Sequence, residues 1–196
     1  MIETPKPAGK RGPRIDAQRN REHLLAIAKA AFADSGEGVS LEQIARRAGV
    51  GIGTLYRHFP TRDALVEAVY RNETQRMAEA ATKLAAELPP VEALRAWMLL
   101  SVDHIATKQG MAGMLGSIVG GNAELYAEAG AKIKAAIAML VDNAVAAGEI
   151  QLDLDPLDLL RALAGVANIS SAPNWEASAR RLVDILIAGV RVPPKS

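Results

Sequence analysis

The sequence predicts an all-α protein in two parts. An N-terminal three-helix module carries a helix-turn-helix, and a larger helical body follows, with about nine helices in total. Three observations lead there. Apolar residues recur at i, i+3, i+4 and i+7 through most of the chain. Glycines and prolines cut that pattern at helix-length intervals. No segment alternates with a period of two; IQLDL and VRVPP are too short and too close to helix ends to read as strands.

Composition narrows the function classes. A chain of 196 residues, 49% hydrophobic, can bury a sizeable core. The absence of cysteine excludes disulfides, thiolate metal sites and cysteine catalysis. No apolar run approaches the roughly 20 residues that span a bilayer. The basic start, MIETPKPAGKRGPR, lacks the apolar stretch of a secretory signal. A cytoplasmic protein without a membrane partner is expected. The net charge of +1 hides an asymmetry. Through Arg62 there are 11 basic and 6 acidic side chains, which leaves 12 basic and 16 acidic for the rest. A basic head on an acidic body fits a module that touches a polyanion beside one that does not.

Residues 1–14 hold three prolines, two glycines and four basic residues, too little apolar surface for a core. A disordered basic arm is expected. Lys10, Arg11 and Arg14 are its candidate DNA contacts; a solubilising tail without fixed contacts is the other reading. A helix over about residues 16–34 places Leu24, Ile27, Ala28, Ala31 and Phe32 on one face, and Gly36 and Gly38 end it. His23 lies on its polar flank and reads as surface.

The stretch from Ser40 to Arg62, SLEQIARRAGVGIGTLYRHFPTR, is the informative one. Ser40 and Gln43 form a capping-box pattern. Leu41, Ile44, Ala45 and Ala48 make an apolar face, and Gly49 supplies the turn. A second short helix runs from Gly51 to Phe59 and Pro60 ends it. With Ile52 at zero on a helical wheel, Leu55 and Phe59 fall within about 60° and Tyr56 lies at the edge near about 40°. Gly53, Thr54, Arg57 and His58 take the opposite side. No carboxylate occurs between Val50 and Arg62. That face suits a major groove, whose walls are phosphates and whose base edges offer acceptors. Gly53 permits close backbone approach, and Arg57 is the candidate base reader, since arginine pairs bidentately with guanine.

IARRAGVGIGTLYRHFPTRDALVEAVY closely resembles the DNA-binding signature of the TetR family of transcriptional regulators. The likeness is strong from Leu24 to Tyr70. Beyond it, only length and helical character match. The resemblance implies that Ser40, Thr54, Tyr56, His58 and Arg62 stand at positions that contact phosphates or bases. The family often has lysine at the position of Arg62, and a small hydroxyl or alanine at that of Gly51. It also implies a dimer joined by the last two helices of each subunit. A small molecule in the body would shift helix four and release a palindromic operator. Domains are thus expected at 1–14 (arm), 15–61 (helix-turn-helix domain) and 62–196 (ligand-binding and dimerisation domain).

Thr61 opens a long helix to about Leu88, with Val66, Val69, Tyr70, Met77, Ala81 and Leu84 inward, and Pro89-Pro90 stops it. The helix over 91–108 is apolar nearly all round, so it is buried on several sides. In it, His104 shares a face with Trp97. GMAGMLGSIVGG follows, five glycines in twelve residues, a pliant segment at best. It reads either as a cavity wall or as a connector with gap-filling methionines. Candidate ligand-lining residues are Trp97, Met98, His104, Met111, Met114 and Tyr126, which suit a mainly apolar effector; each could instead be ordinary core. Two helices cover 122–147 with a possible break at Gly130, and Gly148 is a plausible C-cap. Asp155-Pro156 starts a helix to Ile169, SSAPN forms a loop, and a last helix runs from Trp175 to Arg191. Leu163, Val166 and Ala167, with Leu182, Val183, Leu186, Ile187 and Val190, form stripes that either join two subunits or complete the monomer core.

No nucleophile motif, metal-ligand spacing or histidine pair supports an enzyme, and no cofactor is implied. The reading is a sequence-specific DNA-binding regulator, a repressor released by a small hydrophobic ligand. A ligand-independent regulator or architectural protein is the alternative.

Overall fold

Residues 13–118, 121–169 and 175–193 are described by the structure, a computed structural model, with side chains from Gln18 onward. Nine α-helices form among them: α1 (Pro13–Ser35), α2 (Leu41–Arg47), α3 (Ile52–His58), α4 (Arg62–Glu87), α5 (Pro90–Gly110), α6 (Ala112–Gly116), α7 (Ala123–Ala146), α8 (Leu157–Ile169) and α9 (Trp175–Val190). A single 3-10 turn, Gly36–Gly38, separates α1 from α2. The predicted all-α architecture, with its helix-turn-helix head and helical body, is the one found.

Helix α1 begins earlier than the sequence suggests. Pro13 and Arg14 already belong to it, and proline suits a first turn, where its missing N–H leaves nothing unbonded. The arm contacts expected of Lys10 and Arg11, the side chain of Arg14 and the SSAPN loop lie outside the described residues.

The head shares its core with part of the body. Leu24, Phe32, Ile44, Leu55 and Phe59 of the first three helices cluster with Leu65 and Val69 of α4. Met111, Met114, Leu115, Ile118, Leu125 and Ala129, all from beyond α5, join the same cluster. A second cluster sits around α5, where Ala93, Leu94, Trp97, Met98 and Val102 are each 0% exposed. Helix α5 packs on α4, α7, α8 and α9, which is why it is apolar nearly all round. Within it the Trp97 indole Nε1 donates to the Met77 carbonyl of α4 at 2.8 Å, so the buried ring keeps its polar edge satisfied.

The glycine-methionine segment, expected to make a weak, pliant helix at best, contributes the short helix α6, seated on the head. The carboxylate of Glu37 occupies the space that a Cβ at Gly113 would take, so glycine allows that close seat. Helix α7 also differs, since it runs unbroken through Gly130. One internal glycine costs a helix only about 1 kcal/mol, less than the packing of a long apolar stripe supplies. Gly148 follows the C-cap of α7 with φ +71, a left-handed value suited to glycine. Asp155 does start α8, its carboxylate accepting from the Leu157 N–H at 2.9 Å. The segments at IQLDL and VRVPP meet in one isolated antiparallel bridge, Ile150 with Arg191. No helix among the described residues is long and apolar enough to cross a membrane.

Because the core is shared, a body residue should govern the stability of the head. Leu115→Ala is expected to cost about 2–5 kcal/mol. In urea, far-UV circular dichroism and tryptophan emission should report one coincident transition. Two separated transitions would contradict a shared core.

Candidate functional site

The helix-turn-helix is built from local hydrogen bonds. The Ser40 hydroxyl accepts from the Gln43 N–H at 3.2 Å, while the Gln43 side chain accepts from the Ser40 N–H at 2.8 Å. Helix α2 then ends at Ala48, and Gly49 turns the chain with φ +68. Gly51 is the N-cap of α3 and Phe59 its C-cap. Leu55 (0% exposed) and Phe59 (2%) anchor the helix in the head core, and the Arg21 guanidinium lies over the Phe59 ring.

The other face of α3 points away from the protein. Gly51, Gly53, Tyr56 and Arg57 are exposed, while Thr54 and His58 are half-buried. Tyr56, borderline on the wheel, is 43% exposed and therefore outward. In the free protein Arg57 lies along its own helix, its Nε donating to the Gly53 carbonyl at 3.3 Å and a terminal nitrogen to the Thr54 hydroxyl at 3.1 Å. No heavy atom stands within 4 Å of an ideal Cβ at Gly53. Internal packing therefore does not demand glycine there, and its bare backbone is open to a ligand from outside.

Two of the residues expected to touch DNA also make contacts within the protein. Ser40 is engaged in the capping box. Arg62 is half-buried, and its guanidinium donates to the carbonyls of Val39 and Glu37, lies 3.6 Å from the Met114 sulfur and sits over the Phe32 ring. Its fork thus ties α1, the loop before α2, and α6 to the start of α4. These contacts hold the Arg62 guanidinium against the head in the free protein. Nothing local in the sequence signals such a clamp, because its partners are spread from Phe32 to Met114.

A cavity of about 430 Å³ opens between α5, α7 and α8, with Tyr70 of α4 in its wall. Of the six lining candidates, His104 and Tyr126 are there. Trp97 and Met98 are not; both are fully buried in the second core cluster. Met111 and Met114 are not either, because α6 turns them into the head core. Tyr70, Lys108, Leu160 and Arg161 line the cavity without having been singled out. Lys108 was legible, one turn from His104 on the same face, whereas the others come from different helices. The Tyr70 ring stacks on His104 at 6.3 Å and meets the Tyr126 ring edge-on at 5.8 Å. Burial, with Tyr126 adding, pushes the Tyr70 hydroxyl up to about 12, so it stays protonated. Among the described residues, His104 Nδ1 is the one buried side-chain polar atom without a hydrogen-bond partner.

Comparison with known proteins decides the family. The chain matches the family described as "Transcriptional regulator SbtR-like, C-terminal domain" over residues 89–192, and "Bacterial regulatory proteins, tetR family" over residues 24–69. A TetR transcriptional regulator of Streptomyces coelicolor is similar throughout, with 47% identity, 89% of this chain and 99% of that chain covered, and a TM-score of 0.80. The chain belongs to the TetR family of transcriptional regulators. A second TetR regulator, from Mycobacterium vanbaalenii, shares 35% identity over 92% of this chain and 100% of its own, with a TM-score of 0.74. A curated HTH-type transcriptional regulator of Staphylococcus aureus is 39% identical over 61 residues, 31% of this chain. The chain covers 33% of the length of that curated relative. Membership of this family supports DNA-binding transcription regulation.

The expected dimerisation stripe divides in two. Leu163, Ala167, Val183 and Ile187 are buried inside the single chain and complete its own core. Val166, Leu182, Leu186 and Val190 are half-buried. Beside them the outer surface of the two helices carries Ile169 (86% exposed) and Ile185 (66%), with the small Ala188 and Gly189 also exposed. Sequence periodicity could not separate the two halves, since both lie on one wide apolar arc.

His104 gives this TetR-family protein a pH signature. Burial, with Lys108 and Lys29 adding and Glu73 opposing, lowers its imidazole from 6.5 to about 4. The unfolded chain takes up that proton near 6.5 and the folded one only near about 4. The stabilisation is therefore complete above pH 6.5 and is lost as pH falls towards about 4. The urea midpoint should drop across this window more for the native protein than for His104→Gln. Equal drops would contradict the burial of a neutral imidazole.

Proposed function

We propose that the protein is a homodimeric repressor that leaves a palindromic operator when a small, mainly apolar effector fills the α5–α7–α8 cavity. Residues 15–61 read the DNA, and 62–196 dimerise and bind the effector. The observation that carries this reading is the placement of two side chains one turn apart on α4. Tyr70 stands in the cavity wall against His104. Glu73, only 8% exposed, is ion-paired with Lys29 of α1. Displacement of Tyr70 by an effector would therefore move the residue that grips the head. Only a ligand that favours the DNA-incompetent arrangement shifts the balance, by a coupling of typically about 1–3 kcal/mol.

On the DNA, the bare backbone at Gly51 and Gly53 would lie near the groove. Thr54, Tyr56 and His58 would hold phosphates, and Arg57 would swing off its own helix to read a guanine. A single α3 reaches too few base pairs for useful specificity. Two copies joined through the outer face of α8 and α9 would meet half-sites one turn, about 34–36 Å, apart.

Arg57→Ala should lose about 1–3 kcal/mol on operator DNA and little on scrambled DNA. Equal losses on both duplexes would remove the base-reading role. Glu73→Gln should retain effector binding by calorimetry yet shrink the effector-induced change in operator affinity. An undiminished change would show that the signal takes another route.

A further inference from the structure

The charges around the cavity have one sign. Lys108 on α5 and Arg161 on α8 line it from different walls, and no aspartate or glutamate does. Of the neighbouring carboxylates, Asp158 is paired with Arg161 itself, and Glu73 is paired outside the cavity with Lys29 and Arg76. Lys108 Nζ lies over the face of the Tyr126 ring, 4.9 Å from its centroid. The Asp158 contact uses one terminal nitrogen of Arg161 and leaves other N–H groups of its five-donor fork available. His104 stays neutral near pH 7 and adds no charge. The lining also holds the apolar Ile105, Ile133, Leu157 and Leu160, beside the polar Ser101, Gln109 and Asn168.

We propose that the effector is an apolar carboxylic acid, its hydrocarbon body among Ile105, Ile133 and Leu160 and its carboxylate between Lys108 and Arg161. This rests on the ligand-responsive reading above and adds the charge of the ligand to it. A carboxylate takes charge-assisted hydrogen bonds from both cations. An organic cation in the same place meets the Lys108 ammonium, unpaired among the described residues, and the Arg161 guanidinium, whose one carboxylate partner is already engaged, which disfavours it. A neutral alcohol of the same length fills the apolar part and gains neither effect.

The test uses three probes of one chain length with the full-length protein at neutral pH: decanoate, decanol and decyltrimethylammonium, each below its micelle concentration. Calorimetry reads binding, and fluorescence anisotropy of labelled operator reads release. Decanoate should bind about tenfold or more tighter than decanol, as charge-assisted bonds imply. Decyltrimethylammonium should bind weakest. The Lys108→Ala, Arg161→Ala double variant should erase the preference, so that decanoate and decanol bind alike. Leu160→Trp, which fills the cavity, should abolish decanoate binding and so locate it. The proposal is overturned if the cation binds as well as decanoate, if the double variant keeps the preference, or if no probe binds. Should decanol and decanoate bind equally and both release operator, the charge assignment fails while the ligand-responsive reading stands. Should decanoate be preferred yet release nothing, the charge assignment stands and the repressor mechanism fails.

Discussion

The anchoring of α3 by Leu55 and Phe59 is the constraint on which the rest depends. A helix of seven residues has almost no stability of its own. It holds its shape because two large apolar side chains are sunk into the head core. That leaves the opposite face free of any folding duty. Glycine, threonine, tyrosine, arginine and histidine can stand there because nothing inside the protein needs them.

The same core joins the head to the cavity wall. Helix α6 sends Met111, Met114 and Leu115 into the head cluster while Ala112, beside them, lines the cavity. Arg62 then fastens α6 and the loop before α2 to the N-terminus of α4. Packed interiors resist continuous deformation, so such a junction transmits displacement instead of absorbing it. The division at residue 61 or 62 marks where the sequence changes character, but apolar contacts run straight across it.

What was legible in the sequence follows from the range of the interactions. The capping box, the Gly49 turn, the α3 wheel and the Asp155 start each depend on residues at most a few positions apart, and each is found as read. The cavity depends on four helices meeting in space. His104, the polar group expected of the lining, and Tyr126 stand in the cavity wall, but Trp97 and Met98, on the same apolar helix as His104, are plain core. The methionines of α6 suggested an adaptable pocket and instead fill the joint with the head. Arg62 stands at a position that the family resemblance marks for DNA contact. Its partners inside the protein include backbone carbonyls, which leave no trace in composition. For α8 and α9 the apolar arc is broad enough to serve two surfaces, and only packing tells which residue serves which.

The account stands or falls on α3 being a cationic surface offered to phosphates. The most direct measurement is duplex affinity of the purified protein over a range of salt concentrations. The logarithm of the binding constant should fall linearly with the logarithm of salt, with a slope set by the number of phosphates neutralised. A protein with no measurable duplex affinity at low salt, or with affinity indifferent to salt, would contradict it.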